Sequence, residues 1–222
     1  MIAAMQRRFA LLAVPALFAL AAAAPAVKHV AAPLPDTVRV ALTTEKGVIT
    51  VDIDAKHAPV TAANFIRYVD QRRFDGITFY RAMHLSWGEQ PNGLVQAGQR
   101  DPRRLLPPIA HEPTSTTGLL HKAGALSMAR NAPGTAAADF SILLSDMPGL
   151  DADPASPNPE TKAGYAVFGY VVSGMEVARA IWDAPRSATL GQGVMKGQML
   201  DPPVRVLTAR RVAIPVSAAP AP

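Results

Sequence analysis

Two polar side chains, Arg81 and Gln96, lie in sequence surroundings that suggest chemistry. Arg81 ends the stretch GITFYR (residues 76–81), and Gln96 lies within GLVQAG (residues 93–98). Both stretches have the β-branched, aromatic or small residues of short strands, so a sheet would hold each side chain. Neither side chain is a nucleophile, and no obvious base adjoins them in the sequence. A site built on this pair would therefore work through hydrogen bonding and charge, without covalent chemistry or a metal.

The familiar hydrolytic, phosphate-binding and metal-binding signatures are absent from the chain. The five histidines make neither an H-x-x-x-H nor an H-E-x-x-H spacing. Ser127 lies in GALSM, which lacks the G-x-S-x-G pattern of a nucleophile elbow. The glycines of residues 191–197 follow no predicted strand and lack the spacing of a phosphate-binding loop. We therefore expect no metal and no cofactor.

The composition fits one globular domain with many turns. The chain has 222 residues, of which 49% are hydrophobic and 18% are charged, so a packed core is feasible. Its 21 prolines and 15 glycines favour turns over long helices, and hence a β-rich fold. The absence of cysteine excludes disulfides and a lipid-attachment cysteine.

Residues 1–26 have the pattern of a secretory signal peptide. Arg7 and Arg8 form a short positive region, residues 9–23 are apolar, and residues 24–26 are small enough for a cleavage site. The apolar run is too short to span a bilayer comfortably. The paired arginines resemble a twin-arginine signal, but the surrounding pattern favours general secretion. We expect a periplasmic or secreted protein with no stable membrane insertion after cleavage.

The basic balance of the chain is only a weak indication of nucleic-acid binding. The formal net charge is +5, and removal of Arg7 and Arg8 lowers it to about +3 (5 − 2). The remaining lysines and arginines are scattered along the sequence. We expect no nucleic-acid partner, and a monomer.

Hydrophobic periodicity predicts many short strands and two helices. Apolar residues alternate with polar or small ones over residues 38–42 and 49–53, on both sides of a turn that contains Gly47. This alternation predicts a β-hairpin. The helical period begins at Pro59, and a second helix is predicted over Met175–Trp182. The other strands are predicted at residues 77–83, 94–98, 124–129, 139–144, 166–172 and 204–212. The predicted architecture is a closed antiparallel barrel with helical plugs. We divide the chain into a signal peptide (1–26), a linker (27–36), one domain (37–213) and a disordered Ala/Pro tail (214–222).

Five sequence blocks lie in order between about residues 38 and 212. The blocks are TEKG (44–47) with APVTAANF (58–65), FDGITFYR (74–81), QAG (96–98), GALSMA (124–129) and GYAVFG (164–169). They resemble the blocks of the cyclophilin-type peptidyl-prolyl cis-trans isomerases, in the same order as in that family. Each block is modest alone, but five in order are specific. The resemblance implies a mainly β fold, a closed eight-stranded antiparallel barrel capped by two α-helices.

The resemblance implies that Arg81 is catalytic and that Gln96 assists it. Rotation of an X-Pro bond breaks amide resonance, a barrier of about 18–20 kcal/mol. At the twisted transition state the proline nitrogen becomes pyramidal and regains a lone pair. An arginine can donate a hydrogen bond to that lone pair, which the planar ground state does not offer. Gln96 would hold the guanidinium or bind the substrate carbonyl.

The chain departs from the family pattern around the proline pocket. Gly93 and Ser141 stand where the family has phenylalanines, and the aromatic residue expected before Leu150 is a glycine. Asp139 replaces a glutamine and Tyr165 replaces a histidine, while the expected Ala-Asn pair reads Ala129-Arg130. Loss of two aromatic walls should weaken or reshape binding of the proline ring.

The segment between Arg81 and Gln96 is about seven residues longer than the family pattern implies. It carries Met83, Trp87 and, close after, Leu94. We hypothesise that Trp87 restores the missing aromatic wall, and the alternative is that Trp87 caps a barrel end. The predicted substrate-binding residues are Phe79, Met83, Trp87, Leu94, Ala129, Arg130, Asp139, Ser141, Leu150 and Tyr165.

The leading functional hypothesis is an isomerase that assists the folding of exported, proline-containing polypeptides. A non-catalytic proline-peptide-binding or chaperone-like module is the alternative that the altered pocket favours, whereas retention of Arg81 and Gln96 argues against it. An unrelated small barrel that binds an apolar ligand fits the ordered motifs least well.

Overall fold

The computed structural model of the chain describes residues 33–215. The predicted signal peptide, residues 27–32 of the predicted linker and residues 216–222 of the predicted tail lie outside the described residues. Among the described helices, none combines the length and apolarity needed to cross a bilayer.

Eight antiparallel strands close into a barrel, which confirms the predicted architecture. Around the barrel the strands follow the order β1-β2-β7-β5-β6-β4-β3-β8. The first hairpin pairs along its whole length, so alternate side chains point into the barrel. The strands are β1 (Thr37–Thr44), β2 (Gly47–Asp54), β3 (Thr78–His84), β4 (Gly93–Gly98), β5 (Ala125–Met128), β6 (Phe140–Leu143), β7 (Ala166–Ser173) and β8 (Met199–Arg211).

Two longer helices, α1 (Pro59–Asp70) and α4 (Met175–Trp182), match the predicted ones. Two short helices, α2 (Thr114–Thr117) and α3 (Pro159–Ala163), were not predicted. A helix of one turn is too short for a 3.6-residue hydrophobic period to show. Single 3₁₀ turns lie at Pro102–Arg104, Pro148–Leu150 and Gly193–Met195.

The core fills the barrel and the space beneath the two longer helices. Phe65 on α1 contacts three other phenylalanine rings, with centroids 5.1 Å from Phe74, 5.3 Å from Phe140 and 5.2 Å from Phe168. Tilted and edge-on aromatic pairs of this kind stabilise beyond their buried area. These contacts pack α1 against β6 and β7 of the barrel.

Candidate active site

A β-bulge in β3 brings Tyr80 and Arg81 to the same face of the sheet. The register of β3 shifts between Phe79 and Arg81 against both neighbouring strands, so Tyr80 is the extra residue. Tyr80 and Arg81 line an open cleft, while Phe79 is fully buried in the core. The prediction that Phe79 binds substrate is therefore wrong, because it points to the opposite face of the strand.

The cleft has a volume of about 760 Å³ and lies over a row of paired residues on four neighbouring strands. Arg81 pairs with Gln96, Gln96 with Ser141, and Ser141 with Ser127. Ten of the twelve predicted site residues line the cleft, and Phe79 and Trp87 do not. The ten are Arg81, Met83, Leu94, Gln96, Ala129, Arg130, Asp139, Ser141, Leu150 and Tyr165.

Two glutamines hold the Arg81 guanidinium. Arg81 Nη1 donates to Gln96 Oε1 at 2.9 Å, and Arg81 Nε donates to Gln198 Oε1 at 2.8 Å. Among residues 33–215, the one hydrogen-bond partner of Arg81 Nη2 is the Met83 sulfur, a weak acceptor, at 3.6 Å. Burial lowers the pKa of Arg81, yet a guanidinium stays charged at neutral pH. The arrangement fixes the plane of the guanidinium and leaves donor capacity on Nη2.

Gln198 is a site residue that sequence reasoning missed. Its own amide nitrogen donates to the Val194 carbonyl at 2.7 Å, so the last 3₁₀ turn orients it. The residue lies 117 positions after Arg81, and no local motif marks it. Only the pairing of β8 with β3 brings it close. β8 begins at Met199, five residues before the predicted start, and pairs Met199 with Arg81 across the bulge.

Asp139 forms a polar cluster at one end of the cleft. Its Oδ2 accepts a hydrogen bond from the Tyr80 hydroxyl at 2.9 Å. The same oxygen forms an ion pair with Arg100 Nη2 at 3.2 Å. The Arg100 guanidinium also stacks 3.6 Å from the centroid of the Tyr80 ring. Burial raises the pKa of Asp139, although Arg100 and Tyr80 oppose that rise. A Cβ at Gly98 would lie 1.6 Å from Asp139 Oδ1, so the carboxylate depends on glycine there.

Arg130 supports the opposite wall of the cleft. Its side chain is 1% exposed and donates to the Gly164 carbonyl and to the Glu160 carboxylate. Its guanidinium lies 4.6 Å from the centroid of the Tyr165 ring, which also lines the cleft. The arginine thus holds the loop that carries Tyr165.

The hypothesis that Trp87 restores an aromatic wall is wrong. Trp87 is 65% exposed and lies in the loop of residues 85–92, outside the cleft. The alternative, that it caps a barrel end, is contradicted by the same exposure. β3 and β4 stay paired as far as His84 and Gly93, so the extra residues lengthen the hairpin beyond the site.

Gly93 has no room for a side chain. Its φ is +150°, and a Cβ would lie 1.9 Å from the Met83 carbonyl oxygen and 3.1 Å from Trp182 Nε1. That carbonyl accepts a hydrogen bond from Trp182 Nε1 at 2.9 Å, and the indole stacks on His84 with ring centroids 3.5 Å apart. The end of α4 therefore packs where the family pattern places an aromatic residue.

The cleft wall has few aromatic side chains as a result, and its apolar lining comes mainly from Met, Leu and Ala residues. No phenylalanine lines the cleft within residues 33–215, and its aromatic residues are Tyr80 and Tyr165. In the same part of the chain, no three His, Cys, Asp or Glu side chains are grouped closely enough to hold a metal ion. The cleft does offer hydrogen-bond donation from a positioned guanidinium.

Comparison with known proteins identifies what the chain resembles. Residues 39–209 match the family model described as cyclophilin type peptidyl-prolyl cis-trans isomerase/CLD. A peptidyl-prolyl cis-trans isomerase of Acinetobacter baylyi is 33% identical over 153 residues, 67% of this chain and 73% of that protein. Peptidyl-prolyl cis-trans isomerase A of Dickeya dadantii is 35% identical over 147 residues, 64% of this chain and 70% of that protein.

Solved structures show the same fold. A cyclophilin type peptidyl-prolyl cis-trans isomerase of Cryptosporidium parvum has a TM-score of 0.61 at 18% identity, covering 81% of this chain and 99% of that one. A second crystal structure of that protein, in the presence of the dipeptide Ala-Pro, has a TM-score of 0.60 at 17% identity and covers 79% of this chain and 99% of that one.

Proposed function

Because the chain belongs to the cyclophilin-type peptidyl-prolyl cis-trans isomerase family, we propose that Arg81 is the group that accelerates X-Pro rotation in its substrates. The observation that carries the proposal is that Arg81 donates hydrogen bonds to both Gln96 and Gln198 in the cleft. These hydrogen bonds fix the guanidinium before substrate binds, so little reorganisation is needed when the transition state forms.

The proposed mechanism uses the free donor capacity of Arg81. The planar amide nitrogen of an X-Pro bond is a poor acceptor, but it gains a lone pair as the bond twists. Arg81 Nη2, whose protein partner is only the Met83 sulfur, donates to that lone pair. Since this hydrogen bond exists only in the twisted state, it lowers the barrier without stabilising the ground state. No proton is transferred and no covalent bond is made.

Gln96 has two roles in this proposal. Its amide oxygen accepts from Arg81, and its amide nitrogen has no hydrogen-bond partner among the described residues. That nitrogen is free to donate to the carbonyl before the proline. Binding of this carbonyl would fix one side of the rotating bond while the other side turns.

The substrates we propose are proline-containing polypeptides. The Cryptosporidium relative was crystallised in the presence of Ala-Pro, and the cleft described here is open enough for an extended chain. A proline-isomerisation assay on an X-Pro peptide with the full chain tests the proposal directly. Turnover that exceeds the uncatalysed rate and depends on Arg81 supports it, whereas binding without turnover would favour the non-catalytic alternative.

Ser141→Phe is expected to tighten proline-peptide binding by about tenfold. The serine leaves the cleft without an aromatic floor. A phenylalanine ring there would add apolar contact with the proline ring, worth about 1.4 kcal/mol of binding free energy. Peptide titration of the variant and of the parent measures the change. Ser141→Ala is the matched control, because it removes the hydroxyl without supplying a ring. Equal affinity in all three proteins would contradict this account of the floor.

We also propose that the protein assists the folding of exported proteins. The support is the charged, apolar and small pattern of residues 1–26, which is that of a signal peptide. Protein purified from the native host is expected to begin near Val27, and mass spectrometry of the intact protein measures this. Soluble cytoplasmic protein that retains Met1 would contradict the proposal.

A further inference from the structure

Asp151, His121 and Ser127 form a hydrogen-bonded chain beneath the cleft. No sequence motif indicated this arrangement. His121 Nδ1 lies 2.7 Å from Asp151 Oδ1, and His121 Nε2 lies 2.9 Å from Ser127 Oγ. The backbone N–H of His121 donates to the same carboxylate oxygen at 3.0 Å, which fixes the carboxylate against the ring. The isomerase mechanism uses none of these three groups.

The contacts determine the tautomer of His121. An ionised carboxylate only accepts hydrogen bonds, so Nδ1 carries the proton that faces Asp151. Nε2 is then an acceptor, and the Ser127 hydroxyl donates to it. The His121 side chain is fully buried, and this burial lowers its pKa, which keeps the ring neutral. A neutral imidazole with an oriented lone pair on a serine hydroxyl is the arrangement of a general base with its nucleophile.

Ser127 also faces the cleft. It is among the residues that line the same cavity as Arg81, and it pairs with Ser141, a small residue, on β6. Ser127 is only 4% exposed, so a slim, extended group can reach it and a bulky one cannot. A small ester that reaches Ser127 would lie over Ser141, the residue paired with it on β6.

We propose that Ser127 is an acyl-accepting nucleophile for small activated esters, with His121 as its general base and Asp151 as the positioning residue. Ser127 Oγ attacks the ester carbonyl carbon and His121 Nε2 takes the hydroxyl proton. The C–O bond to the leaving alcohol then breaks, and the proton passes from His121 to the leaving oxygen. Water activated by the same histidine releases the acid and restores the serine. No oxidant, reductant or further reactant is needed.

Incubation of the full chain with p-nitrophenyl acetate, and separately with a small alkyl fluorophosphonate, tests this inference. Peptide mapping by mass spectrometry is expected to place one adduct on Ser127. Ser127→Ala should abolish it, and both His121→Gln and Asp151→Asn should slow it about a hundredfold. Ser145→Ala is the matched control and should leave labelling unchanged, because Ser145 donates to Asn92 rather than to a histidine.

The outcomes separate a nucleophile from a structural hydrogen-bond network. Labelling of the folded protein no faster than of the urea-unfolded chain, or an adduct placed on Ser141, overturns the inference. Circular dichroism and thermal unfolding check that each variant is folded. If His121→Gln does not fold, the comparison of parent with Ser127→Ala still decides, since that change removes one oxygen atom.

Discussion

Arg81→Ala is expected to lower kcat/KM for X-Pro isomerisation by about a hundredfold or more, which corresponds to about 2.7 kcal/mol of transition-state stabilisation. The lost interaction exists only when the proline nitrogen is pyramidal, so peptide affinity should change much less than turnover. The melting temperature should change little, because Gln96 lines the cleft and Gln198 is partly exposed, so water can bind both freed amide oxygens. Peptide titration, turnover and thermal unfolding of the same protein measure the three quantities.

Two companion variants show what the arginine does. Arg81→Lys keeps the charge but loses the planar set of donors that the two glutamines hold, so it should recover little of the activity. Gln198→Ala keeps the guanidinium and releases only its Nε contact, so a loss of about tenfold is expected, mainly in turnover. Wild-type turnover in Arg81→Ala would show that the arginine is not catalytic.

The barrel was predictable because the residue pattern that favours each strand lies within that strand. Alternating apolar residues in the first hairpin and the proline that opens α1 are signals that lie within one element. The placing of Arg81 beside Gln96 was predictable for a related reason, since each belongs to a block that resembles the family. Single-turn helices such as α2 carry no such signal, and their position depends on contacts from distant parts of the chain.

The site was predictable only as far as strand alternation holds. The bulge at Tyr80 adds one residue to β3, which turns Tyr80 towards the cleft and leaves Phe79 in the core. A bulge is set by pairing with β4 and β8, and the sequence of one strand does not reveal it. Gln198, and the approach of His121 to Ser127, depend on closure of the barrel in the same way. The position of Trp87 was predicted wrongly because extra residues between β3 and β4 can lengthen the hairpin tip as readily as they fill a neighbouring pocket.

Gly93→Ala is expected to destabilise the protein by about 3 kcal/mol or more, although it adds a single methyl group. The new Cβ would lie 1.9 Å from the Met83 carbonyl oxygen, which is backbone and cannot rotate away. Moving that carbonyl would break its hydrogen bond with Trp182 and disturb the stacking of Trp182 on His84. The positive φ of Gly93 adds a conformational cost of about 1 kcal/mol. Chemical denaturation of parent and variant measures the difference.

Gly134→Ala separates the two contributions. Gly134 also has a positive φ, +84°, but a Cβ there would meet no atom within 4 Å, so only the conformational cost of about 1 kcal/mol should appear. A Gly93→Ala variant no less stable than Gly134→Ala would show that β3 and β4 can part without cost, and Gly93 would then have no structural reason to be glycine. A markedly larger loss at Gly93 would instead show that the Met83 carbonyl, which is hydrogen-bonded to Trp182, excludes a side chain from position 93. Ser141 would then be the position at which an aromatic floor can be rebuilt.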